Sequence, residues 1–138
     1  MKKLIQIFIA ISVFSAGVLY AQHTMSSVVM GYLSDVKCAT SPNGVSADGA
    51  NLAVSPEKHT AACMKMASCE ASGYGVFVKG TNGKYEFMKF DKKGSDLAKA
   101  YLKKTRKKDG LIIDVTGKME GNIFKVEKLT EGSVGMKM

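Results

Sequence analysis

The sequence predicts a single, mainly β domain, and three observations lead to this fold class. Short runs rich in β-branched and aromatic residues recur along the chain, at 28–33, 74–79, 84–90, 111–116 and 124–127. Turn-forming residues separate these runs, and Asn82-Gly83 predicts a type I′ hairpin between the second and third strands. A chain of 138 residues has room for one such domain.

One helix is expected between the third and fourth strands. Ser95 is a suitable N-cap, and the helix should end near residue 105. Its apolar residues fall on one stripe: Leu97, Ala98, Tyr101 and Leu102. Five strands with a helix between the third and fourth are typical of the oligonucleotide/oligosaccharide-binding (OB) barrel. The alternative is a small meander sheet with one helix packed on it.

The N-terminal segment predicts export. Lys2 and Lys3 precede a nearly continuous apolar run at 4–18, and Ala21 supplies a small residue at the expected cleavage position. We therefore expect a signal peptide at 1–21 and a periplasmic or secreted domain at 22–138, with its core at about 28–129. A retained membrane anchor is the alternative, although the apolar run is shorter than the about 20 residues that a span needs.

An unusually long connection, from Ser34 to Gly73, joins the first two predicted strands. Turn formers fill 39–58, which predicts a loop, and Ala and Met residues predict a short helix over about 57–68. Ser55 would be the N-cap of that helix and Pro56 its first residue. Loops of this length in a small domain usually carry a function.

This connection contains all three cysteines and one of the two histidines. The first hypothesis is a metal site formed by Cys38, His59, Cys63 and Cys69. Three thiolates and one imidazole are a complete tetrahedral ligand set for a structural zinc ion.

A second ligand set follows from the predicted helix. On one helix His59, Cys63 and Met66 would share a face, with Met64 nearby. Soft sulfur ligands with an imidazole suit copper, mostly as Cu(I). The expected cofactor of a metal site here is therefore zinc or copper.

A disulfide is the alternative to a metal, because cysteines of exported proteins rarely remain free. Cys38 could bond to Cys63 or to Cys69, which would leave one thiol. Cys63 and Cys69 on one helix would be too far apart to bridge without strain.

No catalytic residue and no organic cofactor is predicted. A Cys63 nucleophile with His59 as its base would need a third, orienting group, which the sequence does not identify. The expected function is therefore that of a small exported binding domain.

The chain is basic, with a net charge of +8 at pH 7, and its cations concentrate near 99–108. A solvated helix face accounts for such a run. The functional alternative is a disulfide-stapled OB-like module that binds an anionic polymer of the cell envelope, lipid headgroups or a protein partner. Nucleic acid is not expected, because the aromatic residues alternate as core residues do, and no membrane span would remain after signal cleavage.

Several segments are similar to a family of small exported bacterial proteins of unknown function. The matching segments are Gly31-Tyr32-Leu33-Ser34-Asp35 with Cys38, then His59-Thr60, Cys63, Lys65-Met66 and Cys69, then Ser72-Gly73-Tyr74-Gly75, Lys89-Phe90-Asp91 and Val115-Thr116-Gly117. The resemblance covers about 28–129, and its most specific part is the Cys…His-x3-Cys-x5-Cys segment. It implies a secreted OB-like domain that carries these Cys and His residues, and it implies no particular activity.

Overall fold

The computed structural model describes residues 25–133, so the predicted signal peptide lies outside the described residues. Five strands account for most of the regular structure: β1 (Ser27–Asp35), β2 (Tyr74–Lys79), β3 (Tyr85–Phe90), β4 (Ile112–Glu120) and β5 (Ile123–Glu131). The helices are α1 (Val36–Ala39), a 3₁₀ helix (Pro56–Lys58), α2 (Ala61–Met64), α3 (Ala67–Ser72) and α4 (Lys92–Lys104). The predicted mainly β class is therefore confirmed.

The five strands form one sheet that closes on itself in the order β1-β2-β3-β5-β4. Neighbouring strands are antiparallel except β3 and β5, which are parallel and share only two residue pairs. Strand β4 closes the ring by pairing with β1 over six residues. Its register with β5 shifts between Thr116 and Gly117, an irregularity of the kind that bends a strand.

The interior of the ring is filled by alternate residues of the strands, as the period of a strand requires. These include Leu33, Val76, Phe90, Ile113, Val115, Phe124 and Val126. Helix α4 covers this core with Ala98 and Leu102. Among the helices in residues 25–133, none is long and apolar enough to span a membrane.

Helix α4 begins earlier than the sequence predicts. The carboxylate of Asp91 caps the helix by accepting a hydrogen bond from the Gly94 N–H at 2.9 Å. Ser95, the predicted cap, lies inside the helix, where its hydroxyl accepts from the Tyr74 N–H at 3.1 Å. This bond ties α4 to the first residue of β2.

A second apolar cluster covers the outer face of β1–β3. The rings of Phe77 and Phe87 lie 5.0 Å apart, and those of Tyr32 and Tyr85 lie 5.8 Å apart. The long connection between β1 and β2 packs over these rings with Cys38, Ala50, Leu52, Cys63 and Cys69. The predicted loop is confirmed, since no helix or named strand lies between Ala39 and Pro56, and these buried residues pack the connection as a second layer on the sheet.

The predicted helix over 57–68 is wrong. The chain is extended at His59 (ψ 128°) and again at Met66 (ψ 139°), so a 3₁₀ helix, α2 and α3 are separate pieces. Helix α1 was not expected. Tertiary contacts override the helix propensity of the Ala and Met residues: the Ala61 N–H, for example, donates to the Lys108 carbonyl at 2.8 Å.

The hairpin between β2 and β3 is confirmed, but its predicted turn type is wrong. A type I′ turn needs a positive φ at both central residues, and only Gly83 (φ 78°) of the Asn82-Gly83 pair has one. The Gly83 N–H donates to the Gly80 carbonyl at 3.0 Å, so the loop is wider than two residues. Strand β5 continues to Glu131, where a polar tail was expected from about residue 130.

Gly31 provides a test of the packing between β1 and β2. A Cβ at this position would clash with the backbone oxygen of Phe77 and the side chain of Val76. We expect Gly31→Ala to lower the free energy of unfolding by about 1–3 kcal/mol, because the backbone cannot move aside as a flexible side chain can. Urea denaturation measures this change. Met30→Ala, at an exposed position of the same strand, is the control and should lower the free energy of unfolding by clearly less. Equal decreases in the two variants would contradict the expectation.

Candidate metal centre

Three cysteine thiols converge beneath the long connection. Cys38 comes from α1, Cys63 from α2 and Cys69 from α3, and each is at most 5% exposed. Their sulfur atoms all lie within 4.8 Å of one another, and those of Cys38 and Cys63 are 4.0 Å apart. Since bonded sulfurs stand about 2.05 Å apart, the three residues are free thiols in this structure, and neither predicted disulfide is formed.

Asp35 positions Cys38. It is the last residue of β1 and the N-cap of α1, and its Oδ1 accepts a hydrogen bond from the Cys38 N–H at 2.9 Å. The side chain of Asp35 is fully buried. Because the strand passes directly into a capped helix, the position of Cys38 is set by the sheet itself.

Asp48 positions Cys63 through Thr60. Its Oδ2 accepts from both the N–H and the hydroxyl of Thr60 at 2.8 Å. The Thr60 oxygen caps α2 by accepting from the Cys63 N–H at 3.2 Å. Asp48 also accepts from the Ser46 hydroxyl, so a surface residue of the connection controls the start of α2.

His59 links the two carboxylates. Its Nε2 lies 2.9 Å from Asp35 Oδ2, and its Nδ1 lies 3.0 Å from Asp48 Oδ2. The His59 side chain is fully buried, whereas that of Asp48 is 17% exposed. An ionised carboxylate can only accept, so both ring nitrogens donate when the imidazole carries both protons. The three residues, called the Asp–His–Asp bridge below, then form a buried, charge-assisted chain of hydrogen bonds.

Both carboxylates of the Asp–His–Asp bridge are held in the ionised form. Burial raises the pKa of Asp35, but hydrogen bonds from His59 and the Cys38 N–H outweigh it, and the pKa falls below its usual value. Burial also raises the pKa of Asp48, and donors from Ser46 and Thr60 with the charge of His59 bring it well below its usual range. The region therefore carries fixed negative charge at neutral pH.

The pKa values of two of the thiols are raised, whereas those of the carboxylates are lowered. Burial, assisted by the neighbouring Cys38 and Asp48, raises the pKa of Cys63 to about 12. Burial and the charge of Asp35 raise the pKa of Cys69 to about 11. Both are therefore protonated at neutral pH, and a protonated thiol is a poor nucleophile. The orienting group that a catalytic Cys63 would need is present in Asp35 and Asp48, but these carboxylates occupy both nitrogens of the His59 base.

The predicted set Cys38, His59, Cys63 and Cys69 comes together in one region, though as overlapping groups. The three sulfurs form one group. His59 belongs to two others, one with Asp35 and Cys38 and one with Asp48 and Cys63. The sulfurs are therefore a more compact ligand set than the four residues together.

The alternative soft-metal set is arranged differently from the prediction. Because the chain is extended at His59 and Met66, these residues do not share a helical face with Cys63. Met66 is 50% exposed. Met64 is fully buried in the core of the ring, where its position is explained by packing.

Neither aspartate is among the site residues predicted from the sequence. Asp35 closely follows the first predicted strand, and Asp48 falls within the turn-forming segment 39–58. For Asp35 a signal existed, since an Asp three residues before Cys38 fits an N-cap that accepts from the Cys38 backbone. For Asp48 the sequence offers no such signal, because its contacts with His59 and Thr60 cross eleven and twelve residues.

The Asp–His–Asp bridge predicts an acid-sensitive stability. A depressed carboxylate pKa stabilises the fold above the unfolded value of about 3.9 and loses this effect as the pH falls towards the folded value. We expect Asp48→Asn to lower the free energy of unfolding by about 1–2 kcal/mol at pH 7. This deficit should shrink at pH 3. Urea denaturation at pH 7, 5 and 3 measures both effects.

Asp109→Asn is the matched control, because Asp109 is exposed. Its stability should follow that of the unchanged protein at all three pH values. A deficit of Asp48→Asn that is the same at pH 3 as at pH 7 would show that the charge of Asp48 does not contribute.

No protein-family model matches the chain, and neither the curated proteins nor the solved structures contain a significant match to it.

Proposed function

We propose that this chain is an exported, non-enzymatic binding domain that holds one zinc or copper(I) ion between Cys38, Cys63 and Cys69. The observation that carries the proposal is the convergence of three buried, unbonded sulfurs within 4.8 Å of one another. Three separate helices each contribute one of these sulfurs, and α1 is separated from α2 and α3 by the loop that follows it. Apolar packing alone does not require them to meet at a single point.

The spacing of the sulfurs suits a metal. A Zn–S bond of about 2.3 Å places two sulfurs of a tetrahedral site about 3.8 Å apart. The sulfurs of Cys38 and Cys63 are 4.0 Å apart, so little movement is needed to reach that geometry. Thiolate ligands select zinc and Cu(I) among the common biological metals.

The charge of the surroundings also supports a cation. Asp35 and Asp48 are held ionised beside the three sulfurs; Asp35 belongs to a group with Cys38, and Asp48 to a group with Cys63. For zinc, a carboxylate oxygen of Asp35 is the nearby candidate for a fourth ligand; a nitrogen of His59 would first have to give up its hydrogen bond to a carboxylate. Copper(I) accepts three sulfurs without a fourth ligand.

The closed strand order and the helix between β3 and β4 support an OB-like barrel as the scaffold. In such barrels the loop between β1 and β2 flanks the ligand face, and here that connection carries all three cysteines. The apolar N-terminal segment and its lysines support export.

Metal titration of the reduced protein tests the proposal. We expect one zinc or Cu(I) per chain and protection of three thiols from alkylation, with all three exposed again by a chelator. Cys69→Ser should weaken binding by about 100-fold or more, because it removes one of three ligands. Ser68→Ala, the neighbouring exposed position on α3, should bind as the unchanged protein does.

Two results would contradict a metal site. One is an absence of stoichiometric metal in protein with three reduced thiols. The other is a native protein with one free thiol and a disulfide between Cys38 and either Cys63 or Cys69, which would support the disulfide-stapled alternative.

A second candidate function is suggested by a basic groove. The groove has a volume of about 550 Å³ and lies between the start of α2 and the segment after α4. Its lining residues are Thr60, Ala61, Ala62, Lys65, Thr105, Arg106, Lys107 and Lys108. Lys107 pairs with Glu131 at 2.7 Å. Within residues 25–133, Lys65, Arg106 and Lys108 have no such ion pair, so their charge is available to an anionic envelope polymer.

Dextran sulfate is a suitable probe of this groove. We expect the double variant Arg106→Gln with Lys108→Gln to bind it about tenfold more weakly at low salt and with a reduced salt dependence. The control is Lys79→Gln with Lys84→Gln, which removes the same charge at the β2–β3 hairpin. Equal losses in the two double variants would show that binding depends on net charge and not on the groove.

A further inference from the structure

A surface pocket reaches Cys63, one of the three residues of the sulfur cluster (Cys38, Cys63 and Cys69). Its volume is about 430 Å³. The residues that line it are Ala47, Asp48, Thr60, Ala62, Cys63 and Met66. Cys63 therefore joins the buried cluster to a space that a small ion can enter from solvent.

The backbone holds Met66 at this pocket. The Met66 N–H donates to the Cys63 carbonyl at 3.0 Å, and the Met66 carbonyl accepts from the Glu70 N–H at 2.8 Å. The residue lies in extended conformation between α2 and α3. Its side chain is 50% exposed, whereas Cys63 is 5% exposed and Cys69 2%. Met66 is thus the exposed sulfur-containing residue at the pocket, and the two cysteines are buried.

We propose that Met66 is the entry ligand through which the cluster takes up Cu(I). This inference rests on the proposed metal function and selects copper(I) over zinc. The thioether is neutral and soft, so it suits Cu(I) and not zinc. A half-exposed methionine also contributes little to packing, which leaves its sulfur free for an incoming ion.

The transfer is a ligand exchange without a redox step. Copper remains Cu(I) throughout. The bond between copper and the Met66 thioether breaks as a bond to the Cys63 sulfur forms, and the thiol proton of Cys63 leaves to the buffer. The remaining cysteines then replace the other ligands that the ion brought with it, and each releases its thiol proton to the buffer.

Asp48 attracts the cation without binding it. Its carboxylate already accepts hydrogen bonds from Ser46 and Thr60 and contacts His59. These partners occupy the oxygens that would otherwise coordinate the ion. The charge of Asp48 remains at the wall of the pocket, where it raises the local concentration of cations.

The rate of copper transfer tests the role of Met66. Cu(I) is supplied as its bicinchoninate complex to the reduced full chain, and loading is followed by stopped-flow absorbance. We expect Met66→Leu to slow loading by about tenfold and to leave the equilibrium affinity within about threefold of the original. The rate of zinc loading should not change. Met119→Leu, an exposed methionine in the β4–β5 hairpin, should load copper at the original rate.

The outcomes separate the two proposals. If the unchanged protein binds no Cu(I), both the entry role and a copper function fail. If it binds Cu(I) and Met66→Leu loads at the original rate, only the entry role fails. An equal loss in rate and affinity would make Met66 a resident ligand, and an equal slowing of zinc would remove the selectivity for copper; either result overturns the inference.

Discussion

The arrangement of the long connection depends on one buried interaction, the Asp–His–Asp bridge. Asp35 ends the first strand, Asp48 belongs to a loop of the connection, and His59 lies between them with both nitrogens engaged. Each carboxylate also sets the start of a helix that carries a cysteine, Asp35 for α1 and Asp48, through Thr60, for α2. Removing the fully buried Asp35 would leave the Nε2 of His59 without a partner, a change that typically costs about 3–5 kcal/mol in a buried pair, whereas Asp48 is partly exposed and its loss costs less.

The bridge connects the sheet to the chemistry of the cysteines. Because Asp35 belongs to β1, the ring of strands provides a rigid base for the sulfur cluster. The same burial that brings the sulfurs together raises the thiol pKa values of Cys63 and Cys69. A cation that displaces the thiol protons would stabilise the thiolates that burial disfavours. The ionised carboxylates nearby would stabilise the charge of the cation. Preorganised ligands with fixed counter-charge are what a small metal site requires.

Much of the fold could be predicted from local pattern. Runs of β-branched and aromatic residues located all five strands, because a strand that packs on one or both faces needs those residue types. The predictions of a hairpin after β2 and of a helix before β4 were also correct, although the turn type and the first residue of the helix were not. The predicted helix over 57–68 was wrong, since hydrogen bonds from Ala61 to Lys108 and from Thr60 to Asp48 outweigh the helix propensity of Ala and Met.

The sequence by itself determined the residues available for a site: three cysteines and a histidine within one long connection. It also determined the mainly β class, because strand periodicity is a local property of the chain. Only the tertiary structure decided that the sulfurs of Cys38, Cys63 and Cys69 meet and that His59 faces two carboxylates instead. Those contacts join residues up to 31 positions apart, and their geometry depends on how the connection packs over the outer face of the sheet.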